Sequence, residues 1–80
     1  MLTRLKQGPK VVGVKQTKRA INEGKTACVF LADDADPRVT APVEELCREK
    51  YVPVERVPQM KELGSACGIA VGSAVAALLS

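Results

Sequence analysis

The sequence has no histidine, no tryptophan, one tyrosine (Tyr51) and one phenylalanine (Phe30) in 80 residues. Without histidine, general acid–base and triad catalysis lose their usual proton carrier. Cys28, Cys47 and Cys67 are odd in number and widely spaced, so neither a zinc pattern nor a disulfide framework is implied. They read as small buried hydrophobes in a reducing cytoplasm. A catalytic cysteine would want a nearby base and an electropositive, partly exposed setting, and the apolar surroundings of all three argue against it. The N-terminus has no apolar stretch of the signal-peptide kind, and the apolar tail from Gly68 to Leu79 is too short to span a bilayer. The shortage of aromatics also argues against readers of single strands, which stack bases on Phe, Tyr or Trp. Any nucleic acid bound here should be a folded one, read by shape, phosphate contacts and base edges.

The length suits one small domain over residues 1–80, with a single modest core. A hydrophobic content of 46% is ordinary for a globular chain and argues against disorder. The net charge of +3 hides an asymmetry. Residues 1–25 hold seven Lys or Arg against Glu23 alone, a balance of +6, whereas residues 26–80 hold five cations against eight acids, a balance of −3. Positive charge is therefore concentrated on the N-terminal third, as on a phosphate-facing surface.

Hydrophobic periodicity predicts a short helix over Met1–Gln7, ended by Gly8-Pro9, and a β-branched strand over Lys10–Val14. A helix over Lys15–Glu23 follows, with Gly24 as its C′ residue. Thr26–Ala32 is continuously apolar, which predicts an interior strand covered on both faces. Asp33 to Pro37 reads as a loop, and the next helix carries Val43, Leu46 and Cys47 on one face. Pro42 is tolerable only in a first turn, so Thr40 is the expected N-cap. Val52–Val57 reads as a strand that Pro53 confines to a sheet edge. Gln59–Cys67 returns to helix with Gly68 at its end, and Ala74–Leu79 closes the chain as a buried strand. Strands alternating with helices predict a three-layer α/β/α sandwich around a four-stranded sheet, with parallel pairing as the default and a mixed sheet as the alternative.

Gly13 to Gly24 (G-V-K-Q-T-K-R-A-I-N-E-G) is the most informative segment. A glycine closes an apolar run, polar and basic side chains follow, and Ala20 and Ile21 turn inward before a glycine stops the helix. Such a helix start offers free backbone N–H groups, a positive dipole end and clustered cations. Lys18 and Arg19 are phosphate candidates, Arg19 the better because its fork matches phosphate geometry. Gln16 can donate to and accept from a purine edge, and Lys15 brings a point charge suited to guanine O6/N7 or phosphate. Asp33, Asp34 and Asp36 resemble turn formers and caps more than a metal site. Gly64, Gly68 and Gly72 do not form a dinucleotide fingerprint, because they lie within and after a helix. The composition argues against an enzyme and implies no cofactor and no metal.

Three segments in order, Gly13–Gly24, A-D-D-A-D-P (32–37) and K-E-L-G-S-A-C-G-I-A-V-G (61–72), give the chain its resemblance to the kink-turn-binding ribosomal protein family, the seven-Ae and thirty-e superfamily. The likeness covers nearly the whole chain and is strongest to the small bacterial members. It implies an α/β/α sandwich with a mixed four-stranded sheet. It also implies binding of a kink-turn, a bent RNA helix with tandem sheared G·A pairs and a flipped-out nucleotide. In the family the turn after the first strand meets the G·A pairs, which assigns RNA contact to Gly13, Val14, Lys15, Gln16, Lys18 and Arg19. The segment Ile69-Ala70-Val71-Gly72 aligns with the apolar loop that covers the flipped-out nucleotide, and Asp36 matches an acid bordering that pocket. The chain departs from the usual pattern at Lys15 and Gln16, where Asn and Glu are usual, and at Arg19, where Lys is usual. Many relatives also carry a basic residue where Met60 stands. The expected partner is thus a structured RNA containing a kink-turn, in the ribosome or a riboswitch, bound by a cytoplasmic monomer. The competing readings are a protein–protein scaffold in a ribonucleoprotein particle and a small-ligand domain built on the three aspartates.

Overall fold

A computed structural model describes residues 2–80. The elements run α1 (Leu2–Gln7), β1 (Lys10–Val12), α2 (Val14–Asn22), β2 (Thr26–Ala32), α3 (Pro37–Glu49), β3 (Val54–Val57), α4 (Met60–Ala66) and β4 (Val75–Leu79). All eight expected elements are present, the Thr26–Ala32 strand with the expected ends and the others with shifted ones. Met1 lies outside the described residues, β1 stops at Val12, and α2 begins one residue early at Val14.

The apolar run of β2 explains the layers. Cys28, Phe30 and Ala32 pack with Leu5, Leu63, Ala66 and Cys67 of α1, α4 and its end. Val29 and Leu31 point the other way, onto Ile21, Val43 and Cys47 of α2 and α3. β4 divides in the same manner, Ala76 and Leu78 to one side and Val75 and Ala77 to the other. Period-two alternation in a strand buried on both faces thus feeds two cores at once, and the three-layer sandwich follows. Phe30 is fully buried and is among the largest side chains in the core. Burial pushes all three thiols up from their ordinary range, Cys47 to about 11, so they pack as hydrophobes and not as nucleophiles.

The sheet order is β1-β4-β2-β3. β3 pairs with β2 in parallel, with Val29 opposite Val54 and Ala32 opposite Val57, and stands at the edge as Pro53 requires. The parallel default fails for the other two pairs, because β4 lies antiparallel between β1 and β2. The chain shows why. Gly68, at φ +79°, turns the backbone at the end of α4. Residues 69–73 then run back along that helix, with the Ile69 N–H donating to the Gly64 carbonyl at 3.1 Å and the Ser73 N–H to the Met60 carbonyl at 3.0 Å. β4 therefore starts at the end of the sheet where α4 started, and it must run opposite to β2.

α3 corrects the expected cap. The helix begins at Pro37, and Asp36 is the N-cap, its carboxylate accepting from the Arg38 N–H at 2.9 Å. Thr40 is buried inside the helix rather than at its start. Proline at the first helical position is well placed, since its missing N–H would have had no partner. Pro42 lies in the interior, where the helix forgoes the N–H that would have bonded the Arg38 carbonyl. The apolar face of Val43 and Cys47 holds the helix together regardless. Pro42→Ala should raise the free energy of unfolding by about 1–3 kcal/mol, read as a higher urea midpoint at unchanged slope; an unaltered midpoint would mean that the helix already relieves the proline by bending.

Candidate nucleic-acid interface

β1, β2 and β3 all end at one edge of the sandwich, and β4 begins there. That edge gathers the start of α2, the 33–36 loop, the start of α4 and the loop 69–74. Three hydrogen bonds at two carbonyls hold this edge together. The Val75 carbonyl accepts the Gly13 N–H at 2.9 Å and the Ser73 hydroxyl at 2.8 Å, and the Ala74 carbonyl accepts the Ala32 N–H at 3.0 Å.

Gly13 sits at φ 100°, ψ 159°, a conformation that side-chain-bearing residues rarely adopt. A Cβ there would meet nothing within 4 Å, so backbone conformation and not crowding requires the glycine. This turn stops β1 and aims α2. The first intrahelical bond runs from the Thr17 N–H to the Gly13 carbonyl at 3.0 Å. The N–H groups of Val14, Lys15 and Gln16 have no intrahelical acceptor and no side-chain cap, and the first turn carries no acid.

The other two helices at this edge are capped. Asp36 closes α3 and grips the Arg38 guanidinium, with Nη2 to Oδ2 at 2.7 Å. That guanidinium and the Arg38 N–H hold the Asp36 carboxyl below the usual carboxylate range. Asp34 reaches across from the β2–α3 loop to α4, accepting the Met60 N–H at 2.7 Å. Asp33 pairs with Arg56 at 3.4 Å, and Arg56 also holds Glu44 at 2.9 Å. The three carboxylates thus serve three different partners, and no group of three or more metal-ligating side chains occurs among the described residues. Of α2, α3 and α4, α2 alone leaves its positive end open.

Thr17, Ala20 and Ile21 form the buried face of α2, and Val14 packs partly onto the same core. Lys15, Gln16 and Arg19 are exposed and Lys18 is half-buried. Gln16 and Arg19 share a flank, lining an open groove of about 270 Å³ with Val11, Glu23, Lys25 and Leu79. Arg19 pairs loosely with Glu23 at 3.6 Å in an exposed contact of little energetic weight. On the opposite layer, Ile69, Ala70 and Val71 belong to an exposed loop tied to α4, not to a strand, and Val71 is 70% exposed. An apolar side chain so open on so firmly anchored a backbone is a ready contact surface.

The structure therefore brings Gly13, Val14, Lys15, Gln16, Lys18 and the 69–71 loop to one edge, and sets Asp36 beside them with its carboxylate already engaged. Sequence reasoning missed Asp34, Gly64 and Ser73, which shape this edge. The small-residue pattern of G-S-A-C-G at 64–68 was the available sign that something packs closely on α4. Tyr51, the only tyrosine, is 93% exposed but stands beside Asn22 and Gly24 at the far end of α2. No helix among the described residues is long and apolar enough to cross a membrane.

Because its folded value is depressed, Asp36 contributes stability above the ordinary carboxylate pKa and loses it as pH falls through its lowered value. Asp36→Ala should therefore show a lower urea midpoint than the wild type at pH 7, and the gap should close below about pH 4. A gap independent of pH would remove the charged cap from the account.

Residues 2–80 match the model of the ribosomal protein L7Ae/L30e/S12e/Gadd45 family. An RNA-binding protein of Geobacillus sp. (strain WCH70) is 49% identical over 75 residues, covering 94% of this chain and 92% of that protein. RNA-binding protein YbxF of Geobacillus stearothermophilus is 45% identical over the same length and shares of each chain. Among solved structures, the Giardia lamblia 15.5kD RNA binding protein superposes with a TM-score of 0.92 at 28% identity, covering 99% of this chain and 70% of that one. With a match across its whole described length and relatives near half identity, the chain belongs to the ribosomal protein L7Ae/L30e/S12e/Gadd45 family.

Proposed function

We propose that this chain is a non-enzymatic RNA-binding protein that recognises and stabilises kink-turns in structured RNA. The observation that carries the reading is the open start of α2. Three helix N-termini meet at one edge, two are neutralised by aspartates, and the third keeps its N–H groups free beside Lys15 and Lys18. Such an end attracts phosphate and the electronegative edges of purines. Relatives named as RNA-binding proteins, alike over most of both chains, support RNA as the ligand.

The kink-turn itself is supported by the shape of the edge. A bent RNA with one flipped-out nucleotide needs a polar wall for the helix and an apolar cover for the extruded base. α2 supplies the first from one layer and Ile69, Ala70 and Val71 supply the second from the other. Gly13 keeps the turn free of a side chain where backbone meets RNA. Lys15 and Gln16 approach base edges, Lys18 and Arg19 reach phosphate, and Asp36 steadies the 33–37 loop through its cap. The protein acts as one rigid body that binds the kinked form in preference to the straight one, and so shifts the RNA toward it.

Two measurements test this. In a gel shift, a kink-turn RNA should bind more tightly than the same RNA with its G·A pairs replaced by Watson–Crick pairs; equal affinity would sink the shape-specific reading. Arg19→Ala should lower affinity and shallow the slope of log affinity against log salt by roughly 0.7–0.9, the loss of one phosphate contact. An unchanged slope would take Arg19 out of the interface and leave it as the partner of Glu23.

A further inference from the structure

The loop 69–73 owes its shape to α4. Gly64 lies in the interior of that helix and is buried. A Cβ at this position would overlap the Val71 carbonyl oxygen and stand 3.0 Å from the Gly72 Cα. Gly72 is itself pressed against α4, where an added Cβ would come within 3.1 Å of the Met60 Cβ. The Gly64 carbonyl accepts the Ile69 N–H, and the Met60 carbonyl accepts the Ser73 N–H. Both ends of the loop are thus hydrogen-bonded to one short helix, with the Val71 carbonyl seated in the space a side chain would fill. Alanine is the better helix former, so a glycine here is explained by the loop it admits.

The first turn of α4 is held in turn by Asp34. Gln59 occupies the N-cap position but makes no side-chain cap bond, and the Met60 N–H is satisfied by Asp34 from a segment 26 residues away. Met60 therefore sits between two constraints, its N–H on Asp34 and its carbonyl on Ser73.

We propose that Gly64 and Asp34 are positioning residues for the RNA site, holding the 69–73 backbone in its binding shape before RNA arrives. The proposal rests on the RNA-binding reading above. Ile69, Ala70 and Val71 are then presented with less ordering entropy to lose on binding, and loosening the loop subtracts from affinity without removing any contact residue.

The test compares Gly64→Ala, Asp34→Ala and Asp34→Asn in the full chain, by amide hydrogen exchange and by binding to a kink-turn RNA at fixed salt. Gly64→Ala should speed exchange of the Ile69 and Ser73 amides at least tenfold while amides of β2 and α2 keep their protection, and affinity should fall at least tenfold. Asp34→Ala should move both readouts in the same direction by a smaller factor. Asp34→Asn should recover most of the loss, because its amide oxygen can still accept the Met60 N–H. Wild-type exchange in Gly64→Ala, or a deprotected loop with undiminished affinity, would overturn the proposal. Should Gly64→Ala fail to fold, the Asp34 pair decides by the same criteria. A wild-type chain with no preference for kinked RNA would bring down the kink-turn reading on that control alone, and the exchange data would still show whether these residues order the loop.

Discussion

The Val75 carbonyl accepts two hydrogen bonds, from the Gly13 N–H and the Ser73 hydroxyl, and the candidate RNA-binding edge of the molecule is assembled around that oxygen. One donor comes from the turn that aims α2, the other from the end of the loop that α4 carries. Neither segment touches the other in sequence, and they lie on opposite layers of the sandwich. The shared acceptor is available because β4 begins at this edge, and β4 begins here because the chain folds back along α4 after Gly68. Reversing β4 would send the apolar loop to the far end and leave α2 with no second wall beside it.

Electrostatics at this edge follow from how three aspartates are used. A loop with three acids in four residues beside a cationic helix start would weaken any pull on phosphate if its charges were free. Asp36 and Asp34 are instead taken up by the starts of α3 and α4, and Asp33 by Arg56. Their negative charge is matched locally by helix dipoles and guanidinium groups. α2, with glycine as its N-cap and no acid in its first turn, keeps its positive end directed to solvent. The same helix-end physics therefore underlies both the capped helix starts and the open one, and only the presence or absence of a carboxylate separates them.

Much of this is legible in the amino-acid sequence. Continuous apolarity at Thr26–Ala32 announces an interior strand, Pro53 an edge strand, and Lys15, Gln16 and Arg19 an exposed polar helix face, although Thr17 within the same run is buried. Pro42 points to a later helix start with Thr40 as the cap, whereas Asp36 caps α3 and Thr40 lies inside it. The helix accepts Pro42 in its interior since Val43 and Cys47 are buried strongly enough to offset the lost bond. Alternating elements make parallel pairing the default, with the mixed sheet that the resemblance implies as the alternative; the return of residues 69–73 along α4 replaces a crossover with a reversal and makes the sheet mixed. Asp34 reads as a turn former in its own neighbourhood, and nothing local shows that its acceptor oxygen serves a helix 26 residues on.

What the sequence determined by itself were the properties carried by short stretches of chain. They are the type and order of the elements, the concentration of cations in the first third, the exclusion of histidine chemistry, and the motifs that resemble one family. Periodicity, composition and turn residues act locally, so they survive the absence of a fold. What only the tertiary structure decided were the direction of β4, the cap that Asp34 provides to α4, the seat of the Val71 carbonyl on Gly64, and which of the gathered helix ends remains open. Each depends on groups distant in the chain meeting within hydrogen-bond or van der Waals range, and that meeting is set by how two layers of helices close on one sheet.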